Sequence, residues 1–138
     1  MRVIVVYEST RGRTKAMAEA ICEGVKSQGA ICDLIVAANF VEAGDACALA
    51  IGSSTRMKRT LPKTRQILAE LKKLDGIAAA GFGSYGWSGE APGFISQQLE
   101  KLGAKMVEGQ PLRVKDYPNE ENLEACRELG RKLAEACK

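Results

Sequence analysis

Residues 3–28 read VIVVYESTRGRTKAMAEAICEGVKSQ, and this stretch decides the fold. Its first five residues form a continuous apolar run, as a central strand buried on both faces requires. After a polar loop, Met17, Ile21 and Val25 recur every four residues and would share one face of a helix. A buried strand followed at once by an amphipathic helix predicts a parallel sheet covered by helices.

The same alternation of apolar runs and amphipathic segments continues to the end of the chain. The predicted strands cover residues 3–7, 31–36, 46–52, 77–82 and part of 104–114. The predicted helices cover residues 14–28, a short stretch at 40–44, 62–74, 92–102 and 123–137. Gly109 and Pro111 lie within the fifth strand and predict a bulge or a broken edge strand. We therefore expect a single α/β domain over residues 1–138, with a doubly wound five-stranded parallel sheet, order 2-1-3-4-5, and helices on both faces.

Composition excludes several classes of function. The 138 residues are 46% hydrophobic and 27% charged, and no apolar run approaches the roughly 20 residues that span a bilayer. The chain has no His, which removes the usual imidazole base and the commonest transition-metal ligand, so no metal site is expected. The net charge is +3, but the basic residues collect at 11–15 and 56–65 without interleaved aromatics, so no nucleic-acid partner is expected.

The five cysteines do not form a recognisable redox or metal motif. They are odd in number, widely spaced and never in a C-x-x-C pair, and they stand in apolar surroundings at positions 22, 32, 47, 126 and 137. This pattern predicts reduced core residues, and the alternative is a redox-sensitive thiol. Unpaired cysteines without an export signal indicate a cytoplasmic location.

Ligands of doubly wound sheets bind beyond the carboxyl ends of the strands, which here points to the loops at 8–13, 53–61 and 83–90. The first loop combines Gly12 with three hydroxyls, those of Ser9, Thr10 and Thr14, at the start of a helix, where backbone N–H groups attract phosphate. The alternative is an ordinary helix N-cap. The loop is not a Walker A motif, so triphosphate hydrolysis is not expected.

The third loop, GFGSYG at 81–86, matches G-x-G-x-x-G but follows the fourth predicted strand instead of the first, so it is a weak dinucleotide signal. We interpret glycines 83, 86 and 89 as allowing a tight loop that presents Tyr85 and Trp87 to a planar ring. The alternative is that these aromatics only cover the end of the sheet. A phosphate site beside a ring site predicts a ligand shaped like flavin mononucleotide (FMN).

Three strings, VVYESTRGRTKAMAEAI, AIGSSTRMKRTLP and GFGSYGWSGEAP, with a terminal CRELGRKLAE, resemble the flavodoxin family over essentially the whole chain. The resemblance is strongest to the flavodoxin domain of flavodiiron proteins. It implies a flavodoxin-like fold, non-covalent FMN and one-electron transfer. The diiron ligands of those proteins belong to another domain, so no oxygen or nitric oxide reductase activity is expected.

The resemblance also implies which residues contact the cofactor. The phosphate would be held by the first loop, and the isoalloxazine ring would lie between residues 53–57 and 83–89. The candidate FMN-binding residues are Ser9, Thr10, Arg11, Gly12, Arg13, Thr14, Ser53, Ser54, Thr55, Arg56, Met57, Gly83, Ser84, Tyr85, Gly86, Trp87 and Gly89.

Two loops depart from the family pattern. Arg11 and Arg13 stand where similar domains often have Trp and Asn, which favours a phosphate dianion but removes a ring contact. The second loop carries Arg56, Lys58 and Arg59 and no Gly after residue 52, which argues against the peptide flip of some members. Cations near the ring should stabilise the added negative charge of the reduced flavin and so raise the second reduction potential.

These observations predict an FMN-binding one-electron carrier between redox proteins. Its basic rim would favour partners with acidic docking surfaces, and association would slow as salt rises. Two alternatives stay open, an FMN-dependent NAD(P)H:quinone-type reductase and a flavin-free docking module. The oligomeric state is not predicted.

Overall fold

The computed structural model describes residues 1–138. Its strands are β1 (Arg2–Glu8), β2 (Ile31–Val36), β3 (Ala48–Ser53), β4 (Thr55–Arg56), β5 (Arg59–Thr60), β6 (Ala78–Tyr85), β7 (Lys105–Met106) and β8 (Leu112–Lys115). Its helices are α1 (Arg13–Ser27), α2 (Pro62–Glu70), α3 (Glu90–Lys101) and α4 (Glu120–Ala136).

The main sheet is parallel and runs in the order β2-β1-β3-β6-β7, with β8 also paired to β6. The short strand β7 pairs with the start of β6, at Ala78 and Ala79, whereas β8 pairs with its end, from Phe82 to Tyr85. The two short strands are therefore one edge strand, interrupted around Gly109 and Pro111. The predicted order 2-1-3-4-5 and the predicted break in the fifth strand are both confirmed.

Helices cover both faces of the sheet, as predicted. On one face, α1 and α4 contribute buried residues such as Met17, Ile21 and Leu129 to a core over Val3 and Val5. The helices α2 and α3 cover the other face, where a second core includes a separate set of buried residues, Ile4, Val6, Leu49, Ile67, Leu68, Ile95 and Leu99. Alternate residues of β1 therefore contribute to two cores, which explains why residues 3–6 are all apolar.

Two segments differ from their predicted structure. The short helix expected at 40–44 is absent, and a single 3₁₀ turn at Ala37–Asn39 takes its place, with Phe40 packed against the second core. The helix expected at 62–74 ends at Glu70, because Leu71 is extended, although Leu71 and Leu74 still pack on the core. The apolar periodicity of the sequence extends beyond the end of α2 because Leu71 is partly buried and Leu74 is buried, although neither is part of the helix.

The loop after β3 contains a two-stranded antiparallel hairpin, β4–β5, that the sequence did not predict. Its turn residues Met57 and Lys58 have φ angles of 52° and 63°. Turns of this kind normally contain Gly, Asn or Asp, so the sequence gave no signal for a hairpin here.

The prediction that the cysteines are all reduced is wrong. Two disulfides are present, Cys22–Cys32 and Cys47–Cys137, with Cα–Cα distances of 5.6 and 5.4 Å. The pairs are 10 and 90 residues apart in the chain and meet only because α1 packs beside β2 and α4 ends beside the start of β3. The argument for a cytoplasmic location from unpaired cysteines therefore fails.

The remaining cysteine, Cys126, is free and fully buried in the first core. Burial raises the pKa of its thiol to about 12, so the reactive thiolate is scarce at neutral pH. None of the four helices has both the length and the apolar character that crossing a membrane demands.

Candidate functional site

The three predicted loops meet at the carboxyl ends of β1, β3 and β6 around a cluster of hydroxyls. Thr14 Oγ1 lies 2.7 Å from Ser84 Oγ and 3.1 Å from Ser54 Oγ, and all three residues are buried. In this hydroxyl triad, Thr14 lies in the first turn of α1, Ser54 directly follows β3, and Ser84 lies near the end of β6. The triad therefore fixes the three loops relative to one another.

The first loop leaves the start of α1 open. Gly12 precedes the helix with a φ of 82°, and a Cβ added there would meet no atom within 4 Å. Its own N–H donates to Ser9 Oγ at 3.0 Å. The next three amides, those of residues 13–15, have no hydrogen-bond acceptor. Free amides and the positive end of the helix dipole are together suited to an anion.

The other helices are capped by side chains. Glu8, at the end of β1, accepts from the Thr64 backbone N–H of α2 at 2.7 Å. The Thr55 hydroxyl accepts from Ala91 N–H of α3 at 3.0 Å, and Asn119 caps α4. The N-cap alternative for the first loop is therefore not realised, since α1 is the helix that lacks a side-chain acceptor. The role of Glu8 was missed because its partner lies 56 residues further along the chain.

A cavity of about 570 Å³ opens beside the start of α1, within the size range of small-molecule sites. Residues of all three loops line it, namely Thr10, Arg11, Arg13, Ser54, Thr55, Arg56, Met57, Ser84, Tyr85, Gly86 and Trp87. The second and third predicted loops therefore face each other across one cavity.

Two large apolar side chains at the rim of this cavity are exposed to water. Trp87 is 93% exposed and Met57 is 89% exposed. Tyr85 is instead half-buried, and a Cβ added to Gly89 would lie 3.0 Å from its ring. A side chain at position 89 would therefore crowd the Tyr85 ring, whereas the ring of Trp87 is exposed to water.

Two further candidate residues, besides the hydroxyl triad, have roles inside the fold. Ser53 is fully buried, and its hydroxyl accepts from Leu61 N–H at 2.9 Å and donates to Ser54 O at 2.8 Å. It joins the two ends of the hairpin loop and does not line the cavity. Gly83 lies within β6, where an added Cβ would be 2.1 Å from Ser53 O. The interpretation of Gly83 as a loop glycine is wrong, because the position is small to allow β6 close to β3.

The cavity carries excess positive charge. Of its three arginines, Arg13 lies 3.8 Å from the carboxylate of Asp116, a weak contact with an exposed partner. Arg11 and Arg56 have no carboxylate within 4 Å. No residue lining the cavity is acidic. The arrangement suits a bound anion and offers no carboxylate for general acid or base chemistry.

Comparison with known proteins agrees with this geometry. Residues 5–130 match the family model described as flavodoxin. The chain belongs to the flavodoxin family. A solved structure of a flavodoxin from the domain Archaea has a TM-score of 0.92 and 37% identity, with 99% of each chain covered.

The flavodoxin domain is also similar to parts of larger proteins. It is 34% identical to an uncharacterized protein of Methanocaldococcus jannaschii, covering 97% of this chain and 36% of that one. It is 30% identical to an anaerobic nitric oxide reductase flavorubredoxin of Escherichia coli, covering 96% of this chain and 29% of that one. The chain thus spans about a third of the length of these curated relatives.

FMN is the cofactor of this family, and the residues present fit it. The free amides at the start of α1 match a phosphate group, since Gly12 leaves the approach open. The cavity beside them is large enough for a small-molecule ligand, and the exposed Trp87 offers a face for a planar ring. The predicted family, fold and cofactor are confirmed.

Proposed function

We propose that this protein carries single electrons between redox proteins with FMN as its redox cofactor. The observation that supports this most is the opening of the uncapped start of α1 beside the cavity that Trp87 borders. The bound FMN supplies a ring that accepts and donates electrons. Because the cavity has no acidic residue and the chain no His, the protein contributes binding and electrostatics.

In this proposal each loop has its own task. The amides of residues 13–15, helped by Ser9 and Thr10, hold the phosphate. Residues 54–57 and 85–87 enclose the ring, and the hydroxyl triad keeps both loops at a fixed separation. Arg11 and Arg13 add positive charge near the phosphate, where charge-assisted hydrogen bonds contribute about 1.5–3 kcal/mol each when well aligned.

Replacing Trp87 with alanine tests the ring site. We expect FMN to bind about tenfold more weakly and to be less quenched, because aromatic pairs contribute about 0.5–1.5 kcal/mol beyond the area they bury. The stability of the apoprotein should not change, since Trp87 is almost fully exposed. The measurement is a titration of apoprotein with FMN, followed by flavin fluorescence and absorbance.

Val41→Ala is the matched control, because Val41 is also almost fully exposed, at 89%, but lies at the opposite end of the sheet, beside the start of β3. This variant should bind FMN like the parent. Absence of FMN binding by the parent protein at tens of micromolar would refute the proposed function. Equal affinity of the parent and Trp87→Ala would refute the role of Trp87 alone.

The rim of the cavity also bears on electron transfer. Arg11 and Arg56 are unpaired cations beside the exposed Trp87 and Met57, so the face around the flavin is basic with an apolar centre. Such a face would attract redox partners with acidic docking surfaces and steer their association. Apolar contact at the centre would then exclude water between the two redox groups.

Arg56→Glu tests this electrostatic role. Adding an electron makes the flavin more negative, so a nearby cation raises its reduction potential and a nearby carboxylate lowers it. We expect the second one-electron potential to fall by about tens of millivolts, with a larger fall at low ionic strength. Lys72→Glu makes the same charge change beside the opposite end of the sheet and should leave the potential unchanged. Equal shifts in a redox titration of both variants would contradict the local effect.

A further inference from the structure

A second, smaller cavity shares the β4–β5 hairpin with the flavin cavity. Arg56 and Met57 line the first cavity, whereas the next three residues of the hairpin line the second. The second cavity has a volume of about 230 Å³, and its walls are Lys58, Arg59, Thr60, Arg65, Glu90 and Phe94. These side chains come from the hairpin, from α2 and from the first turns of α3.

One wall of this cavity holds a buried polar group without a partner. Thr60 is 2% exposed, and its Oγ1 is the one buried side-chain oxygen or nitrogen in the molecule that lacks a hydrogen bond. Leaving a buried hydroxyl unsatisfied is unfavourable, and native proteins rarely do so without a reason. Because Thr60 lines the cavity, rotation of its side chain would bring this unsatisfied hydroxyl to a ligand atom bound there.

The charges around the cavity indicate the sign of the charge on that ligand. Lys58 and Arg59 have no carboxylate within 4 Å, and Arg65 donates to the backbone oxygen of Thr60. Three cations therefore surround a space with one opposing group, Glu90. A hydrogen bond from Ser88 holds the pKa of Glu90 below its ordinary value, so this carboxylate is ionised at neutral pH. The net charge of the lining is still positive.

The turn that carries two of these residues is also unusual. Met57 and Lys58 both adopt positive φ although neither is glycine, a backbone state that is unfavourable for residues with a Cβ. Such strain concentrates at ligand clamps and other functional sites. The first half of the hairpin lines the flavin cavity and the second half lines the basic cavity.

We propose that this second cavity binds a phosphate group, with Thr60 Oγ1 donating to one oxygen and Lys58 and Arg59 neutralising its charge. Three consecutive donors of the hairpin suit a tetrahedral anion, which offers more oxygens than a planar carboxylate. Phe94, which is 41% exposed, offers an apolar wall for the carbon part of a phosphate ester. Two sources share this chemistry, free inorganic phosphate and the 2′-phosphate of an NADP-type nucleotide. The site does not depend on flavin binding.

The test is residue-resolved NMR titration of the full chain with inorganic phosphate in a phosphate-free zwitterionic buffer. Saturable shifts are expected at the amides of residues 58–60. The amides of residues 10–14 report separately on the flavin phosphate loop, so failure of one site is distinguished from failure of the other.

Three variants determine whether the proposed contacts hold the anion. Thr60→Val should weaken phosphate binding at least tenfold, while the thermal stability of the ligand-free protein stays the same or rises because an unsatisfied hydroxyl is removed. Arg59→Gln should also weaken binding. Glu90→Gln should strengthen it several-fold, since the one opposing charge is removed. Lys72→Gln, a matched loss of charge near the opposite end of the sheet, should have no effect.

Two nucleotides identify the source of the phosphate. NADP⁺ and NAD⁺ differ only in the 2′-phosphate, so stronger shifts at residues 58–60 with NADP⁺ would identify the nucleotide, and equal weak shifts would identify inorganic phosphate. The proposal is overturned if neither inorganic phosphate nor NADP⁺ gives saturable shifts at residues 58–60. It is equally overturned if Thr60→Val and Lys72→Gln bind phosphate alike.

Discussion

Replacing Gly83 with alanine should lower the free energy of unfolding by about 3 kcal/mol, at the upper end of the usual range for overpacking. The added Cβ would lie 2.1 Å from Ser53 O and 3.2 Å from Pro92 Cγ. The first of these atoms is backbone of the neighbouring strand, so no side-chain rotation can relieve the contact. The strands β3 and β6 must separate at their carboxyl ends.

The same separation should weaken FMN binding. Ser54 follows Ser53, and Ser84 follows Gly83, so both serine hydroxyls of the triad move when the strands part. Thr14 then cannot keep its contacts to both, and the loops that enclose the ring lose their fixed separation. We expect a tenfold or greater loss of FMN affinity in protein that is still folded.

Gly109→Ala is the control for this substitution. Gly109 lies between β7 and β8, a Cβ added there meets no atom within 4 Å, and its φ is not in the left-handed region. Its replacement should leave stability unchanged or raise it by about 0.4–1 kcal/mol, through the smaller entropy of the unfolded chain. Urea unfolding of both apoproteins gives the comparison. Similar midpoints for the two variants would contradict the packing argument.

The parts of the fold that the sequence predicted are those governed by burial over long segments. The apolar run of β1 and the four-residue spacing in α1 both report directly on the two cores. Gly109 and Pro111 correctly indicated a broken edge strand, because neither residue suits a continuous β ladder. Buried faces and residues that restrict the backbone can therefore be recognised from a short stretch of sequence.

The features that escaped prediction depend on contacts between distant segments or on unfavoured backbone states. The disulfide Cys47–Cys137 joins positions 90 residues apart, and no spacing rule connects them. The hairpin around Met57 uses residues that normally avoid positive φ. Tertiary packing imposes both arrangements, so local sequence carried no signal for either.

In the candidate site, too, some features were predicted from the sequence and others were not. Strand order placed its three loops correctly, because the carboxyl ends of parallel strands meet at one edge of the sheet. Within those loops, residue type alone did not distinguish a hydroxyl that faces the cavity from one that faces inward. Ser53 and Ser54 are adjacent and identical, yet the first joins the hairpin ends and the second lines the cavity.

Replacing Thr10 with aspartate should raise the Kd for FMN roughly a hundredfold, equivalent to about 3 kcal/mol. Thr10 is exposed and lines the cavity beside the free amides at the start of α1. A carboxylate there repels the phosphate and can accept from the amides that the phosphate would use. The apoprotein should be equally stable or more stable, since an anion near a helix start contributes about 0.3–1 kcal/mol. Calorimetric titration measures the weaker FMN binding, and thermal unfolding measures the stability of the apoprotein.

Riboflavin and the variant Thr10→Asn assign this effect to the phosphate. Riboflavin carries the same ring without a phosphate, so its affinity should be almost the same in Thr10→Asp and in the parent. Asparagine has nearly the shape of aspartate without its charge, so Thr10→Asn should lose only a small part of the FMN affinity. If riboflavin binding fell as far as FMN binding, the phosphate would not lie at the start of α1. If the Asn and Asp variants were equally weak, the shape of the loop and not its charge would control binding.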